Sequence, residues 1–180
     1  MRESSIFHPL WVFVFTLLTG KINRDAFIKT YFDHVHPFAG VINRADFIRG
    51  YQSGDCSLFL LHVILTLASL HAPADVLSAC GFASRSAAQE SFFSKAKLLH
   101  DFAAEDDPLL MLQGSIILCT VILDHPTDRD FGYWFHNAIR LATRLDLRNM
   151  CVFYSWTVTR VTFIAGTNCL RALWQVCSRR

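Results

Sequence analysis

A chain of 180 residues is the length of one ordinary domain and can bury a substantial core. It is 52% hydrophobic and 18% charged, more apolar and less charged than a typical soluble domain. The excess leaves three explanations: a membrane surface, a partner surface, or origin as a piece of something larger. A net charge of +2, carried by basic residues that are spread out rather than striped, is too small to argue for nucleic-acid binding.

Residues 1–20 contain an apolar run, Leu10 to Leu18. It resembles a signal-peptide core, but Arg2 and Glu3 leave the preceding region nearly neutral, and Leu18 stands where cleavage needs a small residue. The run is also shorter than the roughly 20 residues that span a bilayer. An apolar leader is the expectation. A pseudo-repeat follows. Ile22-Asn23-Arg24-Asp25-Ala26-Phe27-Ile28 is echoed by Ile42-Asn43-Arg44-Ala45-Asp46-Phe47-Ile48. In each copy Asn is expected to cap a helix whose Phe and Ile face inward. Pro37 disfavours helix at His36, so the first helix should end there.

Leu58 to Leu70 is interrupted only by His62, Thr66 and Ser69, as in a central buried helix that Pro73 would end. From Ser84 to Ala104 the residues Ala88, Phe92, Ala96, Leu99 and Ala103 share a face, while Glu90, Lys95, Lys97 and Asp101 should meet water. Ser84 or Ser86 would cap this amphipathic helix. Asp106-Asp107-Pro108 opens the next, with proline at the first helical position and acid at the start. It should run from Leu109 to Leu123. A short polar loop, Asp124 to Asp130, leads into the helix on which the chain is organised. There Phe131, Trp134, Phe135, Ala138, Leu141, Ala142 and Leu145 recur at three and four. Arg140, Arg144 and Arg148 mark another face, read as solvated rather than phosphate-binding. Beyond Asn149, Cys151 to Ala165 reads as strand from its Val, Phe, Thr, Tyr and Trp content. Leu170, Leu173, Trp174 and Cys177 then return to helical spacing.

The residues mark no reaction centre. Cys56, Cys80, Cys119, Cys151, Cys169 and Cys177 include no closely spaced zinc pair and suit free thiols in a reducing compartment. His34 and His36 stand two apart, a poor spacing on a helix, and with His62 and His71 they are expected to be structural. Glu105-Asp106-Asp107 has no second acidic motif to complete a metal-diphosphate site. Asp124, Asp128 and Asp130 lack the glycine-centred turn of a calcium loop. There is no phosphate-cradling glycine loop and no G-x-S-x-G elbow.

Taken together, the motifs resemble the fungal-specific transcription factor domain, the middle homology region of fungal binuclear zinc-cluster regulators. Tyr31-Phe32, His36-Pro37 and Arg44-x-x-Phe47 carry its first part. The leucine-rich stretch 58–70, Ala96 to Leu99 and Leu112-Gln113-Gly114 follow in order. Tyr133-Trp134, Ala138, Arg140-Leu141-Ala142, Leu145, Leu147 and Arg148 carry its signature helix. Asp146 replaces the family's usual glycine. An Arg-Arg-x-x-Trp-Trp box is represented only by Arg171 and Trp174, displaced by residues 149–166. That insert is read as translated intron or a gene-model error.

The expectation is therefore an all-α multi-helix bundle, orthogonal or antiparallel and incomplete at its C-terminus. Residues 21–148 would form the regulatory domain, between the leader at 1–20 and the irregular insert at 149–166. A terminal helix would occupy 167–180. The resemblance implies a non-enzymatic nuclear module that modulates transcription through proteins of the transcription machinery, a homodimer mate or a small-molecule effector. It implies no cofactor in this chain. Zinc and DNA would belong to a separate zinc-cluster domain, which the chain is expected to lack. No membrane contact is expected. Two rivals stand beside it: a small membrane-associated helical protein, and a helical enzyme with an unmarked site.

Overall fold

Polar side chains placed just before apolar runs set the helix starts. The computed structural model describes residues 20–38 and 40–145. Among them are seven α-helices: α1 (Lys21–Thr30), α2 (Arg44–Ser53), α3 (Leu58–Ala68), α4 (Ala74–Ala79), α5 (Arg85–Asp101), α6 (Pro108–Leu118) and α7 (Phe131–Arg144). A π-helical turn, Tyr31–Val35, extends α1, and no strand occurs among the described residues. Asn43, Ser57, Ser84, Asp107 and Asp130 each cap a helix by accepting a backbone N–H, as Asn43 Oδ1 does from Ala45 at 3.0 Å. Each supplies a partner to an N–H that the helix itself leaves free, and Asn43 to two.

Helix α3 is the centre. Its ten residues from Phe59 to Ala68 are all buried, and α1, α5 and α6 pack around it. The polar members are tolerated because each returns to its own helix. His62 Nδ1 meets the Leu58 carbonyl at 2.9 Å, Thr66 Oγ1 donates to the His62 carbonyl at 2.7 Å, and Ser69 Oγ donates to the Thr66 carbonyl at 2.7 Å. Helix α7 packs on α6, where Ala138 and Leu141 meet Leu112 and Ile116 in a second apolar cluster. Gly114 lets α6 approach α3, because a Cβ there would lie 2.8 Å from Phe59 Cζ.

Several boundaries differ from the sequence expectation. Asn23 caps nothing: α1 begins at Lys21 after Gly20, so Asn23 lies inside the first turn, its N–H bonded to the Gly20 carbonyl. Helix α3 stops at Ala68, ahead of Pro73, which instead heads the short α4. Six residues are too few to show a period, so α4 left no signal in the sequence. Helix α6 ends at Leu118 rather than Leu123; Thr120 Oγ1 takes the Ile117 carbonyl at 2.7 Å and Val121 N–H takes that of Leu118. Ala103 is exposed, not buried, with φ at 48°. Its N–H bonds to the His100 carbonyl and that of Ala104 to Leu99, the paired bonds that close a helix through a left-handed residue.

The leader at residues 1–19, the motif positions Leu147 and Arg148 with Asp146, the insert at 149–166, and the terminal helix carrying Arg171 and Trp174 lie outside the described residues. Among the described residues no helix is long and apolar enough to cross a membrane.

Candidate functional site

The motif residues gather in two places. The first is aromatic. Tyr31 and Phe32 lie in the π-helical turn, both buried, with ring centroids 5.3 Å apart. Phe32 meets Phe47 of α2 at 5.8 Å and His36 at 5.1 Å, while the Arg44 guanidinium sits 5.2 Å over the Phe32 ring. His36 Nε2 reaches the Ile42 carbonyl at 2.9 Å and so fixes the loop that joins α1 to α2. Pro37 is exposed at the end of the turn. Tyr31 and Phe32 open the π-turn and continue the buried face that Phe27 and Ile28 begin on α1. The Tyr31 hydroxyl has no hydrogen-bond partner among the described residues, and burial pushes its pKa far above the ordinary phenol value.

The second place lies under α7. Trp134 is 1% exposed and packs edge-on against His100 at 5.0 Å and Phe93 at 6.4 Å. Tyr133 lies half-buried beside it, with the Arg129 guanidinium 4.0 Å over its ring. Next to this aromatic group is a polar junction. Asn137 Nδ2 donates to Ser115 Oγ of α6 at 2.8 Å and lies 3.3 Å from His100 Nε2 of α5. Asn137 Oδ1 accepts from Arg140 Nη2 at 2.7 Å. One amide thus ties together three helices. With both amide hydrogens used, His100 Nε2 must be the acceptor, which places the imidazole proton on Nδ1, facing Asp101 Oδ1 at 3.3 Å. Asp101 also accepts from Arg129 at 2.8 Å. Burial lowers the His100 pKa against the opposing pull of Asp101, so the neutral imidazole this bond requires is favoured.

Ala138 and Leu141 are buried, Ala142 and Leu145 are half-buried, and Arg140 and Arg144 stand at the surface. Asn137, Ser115, His100, Asp101 and Arg129 were missed by the sequence reading. A signal was present for the first: Asn137 sits three residues after Trp134, on the apolar stripe itself. The other four come from distant segments, and nothing local marks them.

The remaining candidates are not assembled. His34 stacks on His71 at 5.4 Å, while His36 and His62 face carbonyls elsewhere. Among the described residues no three His, Cys, Asp or Glu side chains are grouped as a metal ion would need. Burial lowers the His62 pKa to about 4 and raises those of the Cys56 and Cys119 thiols to about 11 and about 12, away from reactive forms. In the acidic loop Asp124 accepts from Ser86, Asp128 pairs with Lys97 at 2.6 Å, and Asp130 caps α7. Glu105 accepts the Asp107 N–H at 2.9 Å, and Asp107 caps α6.

Comparison with known proteins decides the family. Residues 28–161 match the fungal specific transcription factor domain, and that match takes in both motif clusters. The chain belongs to this family. It is 58% identical over 128 residues to the fusaric acid cluster transcription factor of Gibberella fujikuroi, covering 71% of this chain and 19% of that protein. It is 33% identical over 130 residues to cutinase transcription factor 1 beta of Fusarium vanettenii, covering 69% of the chain and 15% of that protein. Cutinase transcription factor 1 alpha of the same organism is 35% identical over 138 residues, 73% of the chain and 14% of the protein. The chain thus spans about a fifth or less of the length of these relatives. No solved structure matches. In this transcription factor domain, the motif residues that lie within the described part are mostly packing residues. Arg140 joins packing to surface, because its guanidinium holds the buried Asn137 from outside.

Proposed function

We propose that the domain regulates transcription without reading DNA, using α7 as the element through which contacts at the surface reach the core. The observation that carries this reading is Asn137, which links surface Arg140 to buried Ser115 and to His100. A partner or effector that competes for Arg140 would withdraw the cap on that amide and loosen α7 from α5 and α6. The occupants proposed are proteins of the transcription machinery, a second copy of the chain, or a small-molecule effector. DNA contact and zinc belong to a separate domain, the domain acts in the nucleus, and it carries no reaction of its own. Identity to a regulator named for the fusaric acid cluster supports control of a comparable cluster as the target class.

The test is to tether the chain to a heterologous DNA-binding module in a fungal host carrying a reporter. The wild-type chain should shift reporter output relative to the module alone, and Arg140→Ala should alter that shift while leaving helicity unchanged. Equal output from the module alone, the wild type and the variant would end the proposal.

A further inference from the structure

The segment that joins α6 to α7 runs along α5 and is held there by side chains. Ser86 donates to Asp124, His125 Nε2 stands 3.8 Å from Glu90 Oε1, Lys97 Nζ donates to Asp128 Oδ1 at 2.6 Å, and Arg129 Nη2 donates to Asp101 Oδ1 at 2.8 Å. Ser86, Glu90, Lys97 and Asp101 follow one another at four, seven and four residues, so they form one stripe on α5. Asp124, His125, Asp128 and Arg129 meet them in the same order, so the strap lies parallel to the helix. Among the described residues, none of residues 124–129 makes a backbone–backbone hydrogen bond, and none joins either apolar cluster. The charges fix one register. Sliding the strap forward by one contact would set Asp124 against Glu90 and Asp128 against Asp101. Sliding it back would set Asp128 against Glu90 and Arg129 against Lys97, again like against like. The grip also tightens along the strap: His125 and Glu90 are 50% and 56% exposed, Arg129 and Asp101 only 23% and 32%. The tighter end touches the core machinery. The Arg129 guanidinium covers the Tyr133 ring of α7, and Asp101 faces His100 Nδ1 at the Asn137 junction.

We propose that residues 124–129 form an electrostatic latch, which opens from the α5 stripe while the helices stay folded and so releases the Asn137 junction. A segment with neither backbone bonding nor an apolar anchor separates before the core does, because exposed ion pairs hold it only weakly. Opening withdraws Arg129 from Asp101, and the carboxylate beside the His100 ring then loses its counter-charge. The latch deepens the regulatory reading of α7 and rests on it for its purpose. Its opening is measured without any reporter, so the two can fail separately.

The experiment follows tryptic cleavage after Arg129 in the full chain by mass spectrometry, scaled to a synthetic peptide of residues 122–134 so that salt effects on the protease cancel. Cleavage after Arg49, inside α2, reports opening of the helices. Raising sodium chloride from about 0.1 M to about 1 M shortens the screening length from about 10 Å to about 3 Å. It should speed cleavage after Arg129 severalfold and leave cleavage after Arg49 unchanged. Lys97→Gln should speed it about two- to fivefold, the worth of one exposed pair. Lys97→Asp should speed it further, and adding Asp128→Lys should return it toward the wild-type rate. The Asn137 Nδ2 proton–nitrogen resonances should shift in Lys97→Asp and return in the swapped pair. If circular dichroism shows that Lys97→Asp does not fold, the salt response and Lys97→Gln, with the Asn137 resonances read in that variant, decide alone. Cleavage after Arg129 that ignores salt and the Lys97 variants, that tracks cleavage after Arg49, or that the swap fails to restore overturns the latch. An unmoved Asn137 resonance overturns its hold on the junction.

Discussion

Gly114→Ala sets two effects of opposite sign against each other. Alanine in the middle of α6 should gain about 1 kcal/mol of helix propensity over glycine. The new methyl, however, would lie 2.8 Å from Phe59 Cζ and nearer still to Cε1, distances that real Cβ contacts do not show. Phe59 is 1% exposed, sits on the buried face of α3 and has the His100 ring 6.2 Å away, so its ring has little room to turn aside. Overpacking of this kind costs about 1–3 kcal/mol, and an overlap with a ring belongs at the upper end. The net effect should be a loss of about 1–2 kcal/mol, or about 2–8 °C in melting midpoint at about 2–4 °C per kcal/mol for a chain of this size. Urea and thermal unfolding followed by circular dichroism would measure it. Gly114→Ala in a Phe59→Leu background should cost less than in the wild type, because the obstructing ring is gone. A single variant as stable as the wild type, or more so, would refute the close approach of α6 to α3.

Trp134→Ala should cost about 3–5 kcal/mol, the range for deleting a large buried aromatic, and should weaken protection of α5 and α6 amides in hydrogen exchange. Protection lost only in α7 would contradict the shared core. For His62, burial holds the folded pKa at about 4, below the unfolded value near 6.5, so on acidification the unfolded chain takes up a proton that the folded chain refuses. Stability should therefore be complete above about pH 6.5 and fall by about 3 kcal/mol toward pH 4, with His100 adding in the same direction, and His62→Gln should flatten the slope. A profile unchanged in His62→Gln would contradict this. Asn43→Ala removes an acceptor for two N–H groups at the start of α2 and should cost about 1 kcal/mol by urea unfolding, whereas Asn23→Ala, inside α1, should cost no cap. Equal losses at the two positions would count against the observed start of α1.

What could be read directly was set by local rules. Acid and proline mark the start of α6, Ser84 proves to be the cap of the two serines offered for α5, and the three-and-four spacing of Trp134, Ala138 and Leu141 is the buried face of α7. The readings that failed did so where a local rule had a competitor. Asn23 and Asn43 stand in nearly the same sequence context, yet one lies within a helix and one before it. The difference is that Gly20 and Lys21 allow α1 to start earlier, while Val41 and Ile42 are held in the His36 loop. Ala103 fits the apolar period of α5 but falls just past its end, where the paired turn bonds turn it outward. Thr120 to Leu123 is apolar enough to prolong α6, but there the backbone tightens to bonds three residues back, Thr120 N–H to the Ile117 carbonyl and Val121 N–H to that of Leu118, and the α-helix ends.

The polar junction was illegible for a different reason. Ser115, His100, Asp101 and Arg129 come from α6, the end of α5 and the loop before α7, and each is unremarkable in its own segment. Only the docking of α7 on α6 brings them to Asn137. The two motif clusters share that dependence on tertiary structure. Tyr31 and Phe32 reach the core through the π-turn against α3, and Trp134 reaches it through α5 and α6, which also pack on α3. A second bridge joins them: Gln113 Nε2 of α6 donates to the Val41 carbonyl at 3.2 Å, one residue from the Ile42 carbonyl that holds His36. Motifs about a hundred residues apart in the chain therefore bear on one helix from two sides. Their separation in sequence reflects the path of the chain around α3, and it is no measure of physical independence.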